Sequence, residues 1–99
     1  MINFEDHKAF ISSLCKKHAI KKFYVFGSNI KGNARNNNDI DFLVEFELKN
    51  LHDYFINFMD LKESLEKYFN NKVDLVEMST IKNPYLKIDI DEHKVLLYG

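Results

Sequence analysis

The chain contains a single cysteine, Cys15, and this scarcity excludes two classes of architecture. One thiol cannot form an internal disulfide or supply a cysteine-rich zinc site, and free cysteine is typical of a reducing compartment. No apolar run approaches the roughly 20 residues that a membrane-spanning helix needs, and the amino terminus lacks the pattern of a secretory signal. We therefore expect a soluble cytoplasmic protein with no membrane partner.

The chain also lacks an excess of either charge. It has 14 Lys and Arg residues and 15 Asp and Glu residues, which give a formal net charge of -1 at pH 7. Strong direct binding of nucleic acid depends on many Lys and Arg contacts to phosphates, so we do not expect it. This charge balance is still compatible with binding of a small ligand that carries phosphate. The 99 residues, 45% of them hydrophobic, predict one domain spanning 1–99 with room for one core and one site.

Proline and glycine are scarce, at one and three residues, so the turns are easy to locate. Helices and strands alternate between them, which indicates an α/β (α+β) fold. The ambiguous stretch "YLKIDIDEH" fits either state, and we favour a helix that starts at Pro84. The predicted helices cover Asn3 to about His18, Leu51 to Phe69 and the region after Pro84, and the predicted strands cover 21–26, 39–46, 72–78 and the closing "VLLY".

Two carboxylates, Asp39 and Asp41, stand at the start of the strand "DIDFLVEF". In an extended strand they point to the same side with backbones roughly 7 Å apart, while Ile40 and Phe42 enter the opposite face. A divalent cation such as Mg²⁺ would relieve their repulsion, since hard cations prefer carboxylate oxygen. The alternative is a solvated strand entrance without a ligand.

Gly27 and Ser28 end the preceding apolar strand, where a missing Cβ permits a tight turn and a close approach to a ligand. Free backbone N–H groups and the Ser28 hydroxyl could donate to a phosphate. Taken alone, the pair is an ordinary turn. Taken with the aspartates of the next strand, it predicts a site for a phosphate that shares the metal.

A third carboxylate, Asp74, lies inside the apolar strand "KVDLVEM". If that strand lies beside residues 39–46, Asp74 completes a three-carboxylate cluster; otherwise it is an edge carboxylate paired with a lysine such as Lys72. The second Asp-Ile-Asp triplet, Asp89 and Asp91, has no Gly-Ser turn upstream, so we interpret it as a solvated face.

The other reactive side chains carry no predicted chemistry. Cys15 falls on the apolar face of the first helix and is expected in the core. The four histidines lack ligand spacing, and surface or partly packed roles are expected for them. The aromatic stripe of residues 51–69, Phe55 included, is expected to face the core, with a partner-docking groove as the alternative.

The sequence "FGSNIKGNARNNNDIDFLVEF" followed by "KVDLVE" resembles the minimal nucleotidyltransferases of the DNA polymerase β superfamily. Their signature is Gly-Ser, about ten residues, Asp-x-Asp in a strand and a later strand Asp. The resemblance covers nearly the whole chain, although the diagnostic residues lie at 27–41 and at 74. It implies a polymerase-β-like nucleotidyltransferase fold, with a small mixed β-sheet and helices packed against it.

The resemblance also implies an Mg²⁺-dependent transfer of a nucleoside monophosphate, AMP from ATP, to a hydroxyl. Gly27 and Ser28 would hold the triphosphate, and Lys31 and Arg35 would be further nucleotide contacts. Two Mg²⁺ ions would be held by three catalytic carboxylates, Asp39, Asp41 and Asp74. Asp74 would also activate the attacking hydroxyl. The chain departs from the family at Lys31, often Arg, and at Asn38, commonly Ser; lysine loses the bidentate phosphate geometry of arginine.

Short members of the family are similar to antitoxins encoded beside HEPN ribonuclease toxins, and some transfer AMP to a tyrosine of the toxin. The resemblance thus implies a HEPN-domain partner and an antitoxin role. Two alternatives stay open. One is a non-catalytic antitoxin that neutralises its partner by binding alone, and the other is transfer to a small hydroxyl compound such as an aminoglycoside, which a chain without a second domain makes the weaker hypothesis.

Overall fold

A computed structural model describes residues 3–26, 39–47 and 53–99 of the chain. A 3-10 turn at Phe4–His7 leads into helix α1 (Lys8–Lys17) and strand β1 (Ile20–Phe26). Strand β2 (Ile40–Phe46), helix α2 (Tyr54–Phe69) and strand β3 (Val73–Glu77) follow. A second 3-10 turn, Met78–Thr80, precedes helix α3 (Pro84–His93) and strand β4 (Lys94–Tyr98).

The helix starts follow from their capping residues. The Asn3 side chain accepts a hydrogen bond from the Glu5 N–H, and the Asn83 side chain accepts from the N–H groups of the first turn of α3. Pro84 occupies the first helical position, as predicted, and the ambiguous stretch after it is a helix. The first helix differs from the prediction because its opening turn is 3-10 and α-helical bonding begins at Lys8. The predicted loop of 27–38 and the predicted helix start at Leu51 lie outside the described residues.

The four strands form a mixed sheet in the order β3-β2-β1-β4. Strand β1 is antiparallel to both β2 and β4, whereas β2 and β3 are parallel. It follows that β2, β3 and β4 all run in one direction. The connections β2-α2-β3 and β3-α3-β4 are therefore crossovers between parallel strands. Their two helices, α2 and α3, lie on opposite faces of the sheet.

The first face of the sheet packs against α1 and α2 to form the main core. Alternate residues of β2, namely Ile40, Phe42 and Val44, enter this core with Leu61 and Leu65 of α2. Cys15 is fully buried here, as predicted, and burial raises the pKa of its thiol to about 12, so it is an inert packing group.

The second face is covered by α3 through one buried side chain, Ile90, which packs on Tyr24 and Leu43. Helix α3 follows the carboxyl end of β3 at one edge of the sheet and ends at the amino end of β4 at the other edge. Because β2, β3 and β4 run in the same direction, α3 crosses this face diagonally. The amino ends of β2 and β3 lie off that diagonal.

The predicted inward aromatic stripe of α2 is correct in part. The main core does contact Tyr54, Phe58 and Phe69. The prediction for Phe55 is wrong, since 72% of its surface is exposed. It follows Tyr54 by one residue, about 100° around the helix, and so turns away from the sheet. Across the described ranges 3–26, 39–47 and 53–99, no helix is long and apolar enough to cross a membrane.

A buried histidine joins α1 to α2. His18 is 2% exposed, and its Nδ1–H donates to the Leu14 carbonyl over 2.7 Å. Its Nε2 lies 2.6 Å from Asp60 Oδ2, and this bond lowers the pKa of the Asp60 carboxyl. The carbonyl and the carboxylate are acceptors, so each ring nitrogen of His18 faces an acceptor. The prediction of a surface or partly packed histidine is wrong here, because the partner is 42 residues away in the sequence.

We expect Asp60→Asn to lower the urea midpoint of unfolding at pH 7, because His18 loses its charged acceptor. The hydrogen bond to His18 lowers the pKa of Asp60 in the folded state below its ordinary value of 3.8. The stabilisation by this carboxylate is therefore fully present above pH 3.8 and is lost as the pH falls through the lower pKa of the folded state. Denaturation curves between pH 7 and pH 3 should therefore converge for the two proteins in acid. Glu63→Gln, an exposed change on the same helix, serves as control, and a constant gap between the Asp60→Asn and native curves at every pH would contradict the assignment.

Candidate active site

Two carboxylates are paired at the amino ends of two neighbouring strands, and a third directly precedes one of these strands. Strand β2 lies beside β3, as the three-carboxylate prediction required, and Asp41 is paired in register with Asp74. Side chains paired in register across parallel strands point to the same face, and the strands are about 4.8 Å apart. Asp39 stands two residues before Asp41 and directly before the strand, so the two-residue period of a strand predicts the same side for it. We call Asp39, Asp41 and Asp74 the acid corner.

Among the described helices, none covers the acid corner, because of the path of α3. The corner lies on the second face, where Leu43 and Val76 follow Asp41 and Asp74 along their strands and pass beneath the helix. The diagonal of α3 leaves the amino ends of β2 and β3 uncovered. Accordingly Asp74 is exposed, and Asp39 and Asp41 are partly buried.

The donor set of the acid corner suits a hard divalent cation, since it consists of carboxylate oxygens from two adjacent strands. As the side chains stand, no three Asp, Glu, His or Cys groups in the described ranges lie close enough together to hold an ion. The chemistry and register of the donors therefore support a cation, whereas their present positions do not form a finished site.

The predicted phosphate-binding residues Gly27, Ser28, Lys31 and Arg35 lie outside the described residues. The last described position before them is Phe26 at the end of β1. Val25 pairs with Phe42, so the next residue, Phe26, continues this antiparallel register to the level of Asp41. The chain therefore leaves β1 at the end of the sheet that carries the acid corner.

The second Asp-Ile-Asp triplet lies on α3 and is solvated, as interpreted from the sequence. Asp89 and Asp91 are exposed, and each is paired with a nearby cation or imidazole. The Lys94 ammonium donates to Asp91 over 2.9 Å, and His93 Nδ1 lies 3.2 Å from Asp89 Oδ1. A helix separates these carboxylates by the same two residues as a strand does, but turns them to different sides.

The ammonium of Lys94 is held away from the acid corner. Its hydrogen bond to Asp91 raises its pKa, and its Nζ lies 4.6 Å from the centre of the Tyr24 ring. Lys94 begins β4 and pairs with Phe26. The positive charge is thus engaged over β1 by groups other than the three carboxylates.

His93 was missed as a neighbour of the site. Its ring centre lies 5.9 Å from that of Phe26, which stands level with Asp41, and its Nδ1 is within 2.8 Å of the Asp89 carbonyl. The ring contact places the carboxyl end of α3 beside Phe26, one strand away from Asp41. No sequence signal could have found this residue, because its position depends on the diagonal path of α3.

A family model described as polymerase beta, nucleotidyltransferase matches residues 9–99. A Thermococcus cleftensis protein, protein adenylyltransferase MntA, is 30% identical over 97 residues, which are 93% of this chain and 94% of the relative. A candidate protein adenylyltransferase of Methanocaldococcus jannaschii, MJ1379, is 40% identical over 76 residues, which are 77% of this chain and 75% of the relative.

The fold is similar to that of one chain in a solved complex from Shewanella oneidensis. That complex contains a tri-AMPylated HEPN toxin and its MNT antitoxin. The TM-score is 0.65 with 22% sequence identity, and the match covers 98% of this chain and 73% of the matched chain. At this identity the likeness concerns the fold, which is the small mixed sheet with helices packed against it that the resemblance implied.

We expect Asp74→Asn to raise the melting temperature slightly, by roughly 1–3 °C, in buffer without divalent metal. The change removes one of two like charges paired across neighbouring strands, and such pairs oppose folding. Differential scanning calorimetry measures the shift. Asp74→Glu, which keeps the charge, should not show this rise, and a fall in the melting temperature of Asp74→Asn would show that the carboxylate stabilises the fold.

Proposed function

Because the chain belongs to the polymerase β nucleotidyltransferase family, we propose that it is a protein adenylyltransferase that transfers AMP from ATP to a HEPN-domain toxin and so acts as its antitoxin. The observation that carries this proposal is the pairing of Asp41 with Asp74 at an open end of the sheet, with Asp39 beside them. The relatives named as protein adenylyltransferases and the fold shared with one chain of the Shewanella oneidensis complex support the same activity.

The acid corner would hold Mg²⁺ through its three carboxylates. When bound, such ions stabilise negative charge on the attacking and leaving oxygens of a phosphoryl transfer. In the proposed step, the acceptor oxygen forms a bond to the α-phosphorus of ATP while the bond to pyrophosphate breaks. The Asp74 carboxylate accepts the proton of the acceptor hydroxyl, since it is the most exposed member of the corner and faces an incoming partner.

The triphosphate is assigned to the segment after β1. Gly27 and Ser28 would donate to its oxygens, with Lys31 and Arg35 as additional cationic contacts. This assignment is supported by the place where β1 ends, level with Asp41. Their roles stay predictions from the sequence motif.

The acceptor that we propose is a tyrosine hydroxyl of the toxin. An open corner with an exposed carboxylate suits a side chain that a second protein presents, whereas a small acceptor would need an enclosing pocket. The reaction is assigned to the cytoplasm, where ATP is available and a free thiol such as Cys15 stays reduced.

We expect the double variant Asp39→Asn, Asp41→Asn to lose transfer by on the order of 100-fold or more, because the carboxylates that bind the cation are neutralised. The assay follows label from α-phosphate-labelled ATP into a purified HEPN-domain toxin from the same genome. Glu45→Gln, on the same strand and the same face, should retain transfer. No label on the toxin with the folded native chain would overturn the proposed activity.

The same double variant separates catalysis from neutralisation by contact. If AMP transfer is the antitoxin activity, Asp39→Asn, Asp41→Asn still binds the toxin but no longer suppresses its ribonuclease activity. Suppression by the inactive variant at stoichiometric concentration would support the alternative, a non-catalytic antitoxin. Ribonuclease assays with preformed complexes distinguish the two outcomes.

Removal of metal should abolish transfer, and its return should restore it. We expect EDTA to stop labelling, excess Mg²⁺ to restore it, and Mg²⁺ alone to raise the melting temperature of the native chain by a few degrees. The variant Asp39→Asn, Asp41→Asn should lose this Mg²⁺-dependent shift. The matched change of the second triplet, Asp89→Asn with Asp91→Asn, should keep it, and an equal loss in both variants would contradict an ion at the acid corner.

A further inference from the structure

Helix α3 is apolar on two opposite sides, although only one of them meets the sheet. Ile90 is its one buried residue. On the opposite side Tyr85 is 83% exposed and Ile88 is 57% exposed, and Glu92 continues the same line at helical spacing. We call Tyr85, Ile88 and Glu92 the α3 stripe. A short helix that exposes large apolar side chains in a row is typical of a protein-binding surface.

The carboxyl end of the α3 stripe lies one strand away from Asp41, the nearest member of the acid corner. Helix α3 lies on the same sheet face as Asp41 and Asp74, and its carboxyl end is held beside Phe26 through His93. Phe26 continues the β1 register to the level of Asp41. A protein seated along the stripe therefore covers the helix and reaches the open carboxylates at its carboxyl end.

We propose that the α3 stripe is the docking surface for the HEPN-domain toxin and that it delivers the acceptor hydroxyl to the acid corner. This inference rests on the proposed function, because a protein substrate must be held while its hydroxyl stands at the carboxylates. Tyr85 and Ile88 supply the apolar centre of the interface, and aromatic residues are frequent in such centres. Glu92, at the end of the stripe nearest the corner, calls for a basic residue on the toxin.

A second exposed apolar pair tests the choice of surface. Phe55 and Ile56 on α2 are 72% and 66% exposed, so they resemble the stripe in chemistry. Helix α2 packs on the opposite face of the sheet, through Leu61 and Leu65. A toxin seated there would have the whole sheet between its contact surface and the carboxylates, so the position of the acid corner favours α3.

The experiment compares two matched double variants. We expect Tyr85→Ala with Ile88→Ala to raise the KM for the toxin by about tenfold or more, as hot-spot truncations do, while the KM for ATP and the Mg²⁺-dependent thermal shift stay unchanged. Phe55→Ala with Ile56→Ala removes similar exposed apolar surface from the other face and should leave both KM values unchanged. Circular dichroism and melting curves confirm folding, which these exposed positions and the helix-favouring alanine should preserve.

Glu92→Lys provides a further readout that leaves the apolar contacts intact. We expect it to weaken toxin binding several-fold at low salt and less at high salt, because a surface charge contact is screened. Isothermal titration calorimetry of the toxin measures this without any transfer of AMP. The inference on docking is therefore tested even if the native chain transfers nothing, in which case only the proposed activity fails.

The docking inference is overturned if Tyr85→Ala with Ile88→Ala leaves both toxin affinity and the KM for the toxin unchanged. It is equally overturned if the α2 pair produces the larger loss. A rise in the KM for the toxin that is accompanied by an equal rise in the KM for ATP would place the effect in the acid corner and also count against docking.

Discussion

The parallel pairing of β2 with β3 is the constraint on which the candidate site depends. It holds Asp41 and Asp74 side by side, and two like charges paired across neighbouring strands repel each other. The register is maintained from the other face, where Ile40 pairs with Val73 and Phe42 with Leu75 in the core. A slip of β3 by one residue would turn Asp74 into the core, so the apolar core secures a chemically unfavourable arrangement.

The second decisive feature is the diagonal path of α3. The helix seals the middle of one sheet face through Ile90 and leaves the amino ends of β2 and β3 uncovered. The same path brings its carboxyl end beside Phe26, one strand away from Asp41, and turns Tyr85 and Ile88 outward. An open catalytic corner and a neighbouring apolar surface thus have one structural cause, which is the crossover from β3 to β4.

Local chemistry was enough to predict most of the elements. Asn83 and Pro84 start α3, and the alternation of Ile40 and Phe42 with charged residues marks a half-buried strand. Phe55 was placed wrongly because a nearly continuous aromatic run does not define a single helix face. The pairing of His18 with Asp60 was beyond prediction, since it joins two helices across the fold. The roles of the site residues remain predictions from their motif.

By itself the sequence determined that Asp39 and Asp41 share one side, because the two-residue period of a strand is a property of the local backbone. The same triplet at Asp89 shows the limit of that rule, since in a helix the second carboxylate turns to a different side. Only the tertiary structure decided that Asp74 is paired with Asp41, because a strand that follows a whole helix can pair on either edge of the sheet. Packing of α2 on one face and α3 on the other selected the edge beside β2, and with it the chemistry.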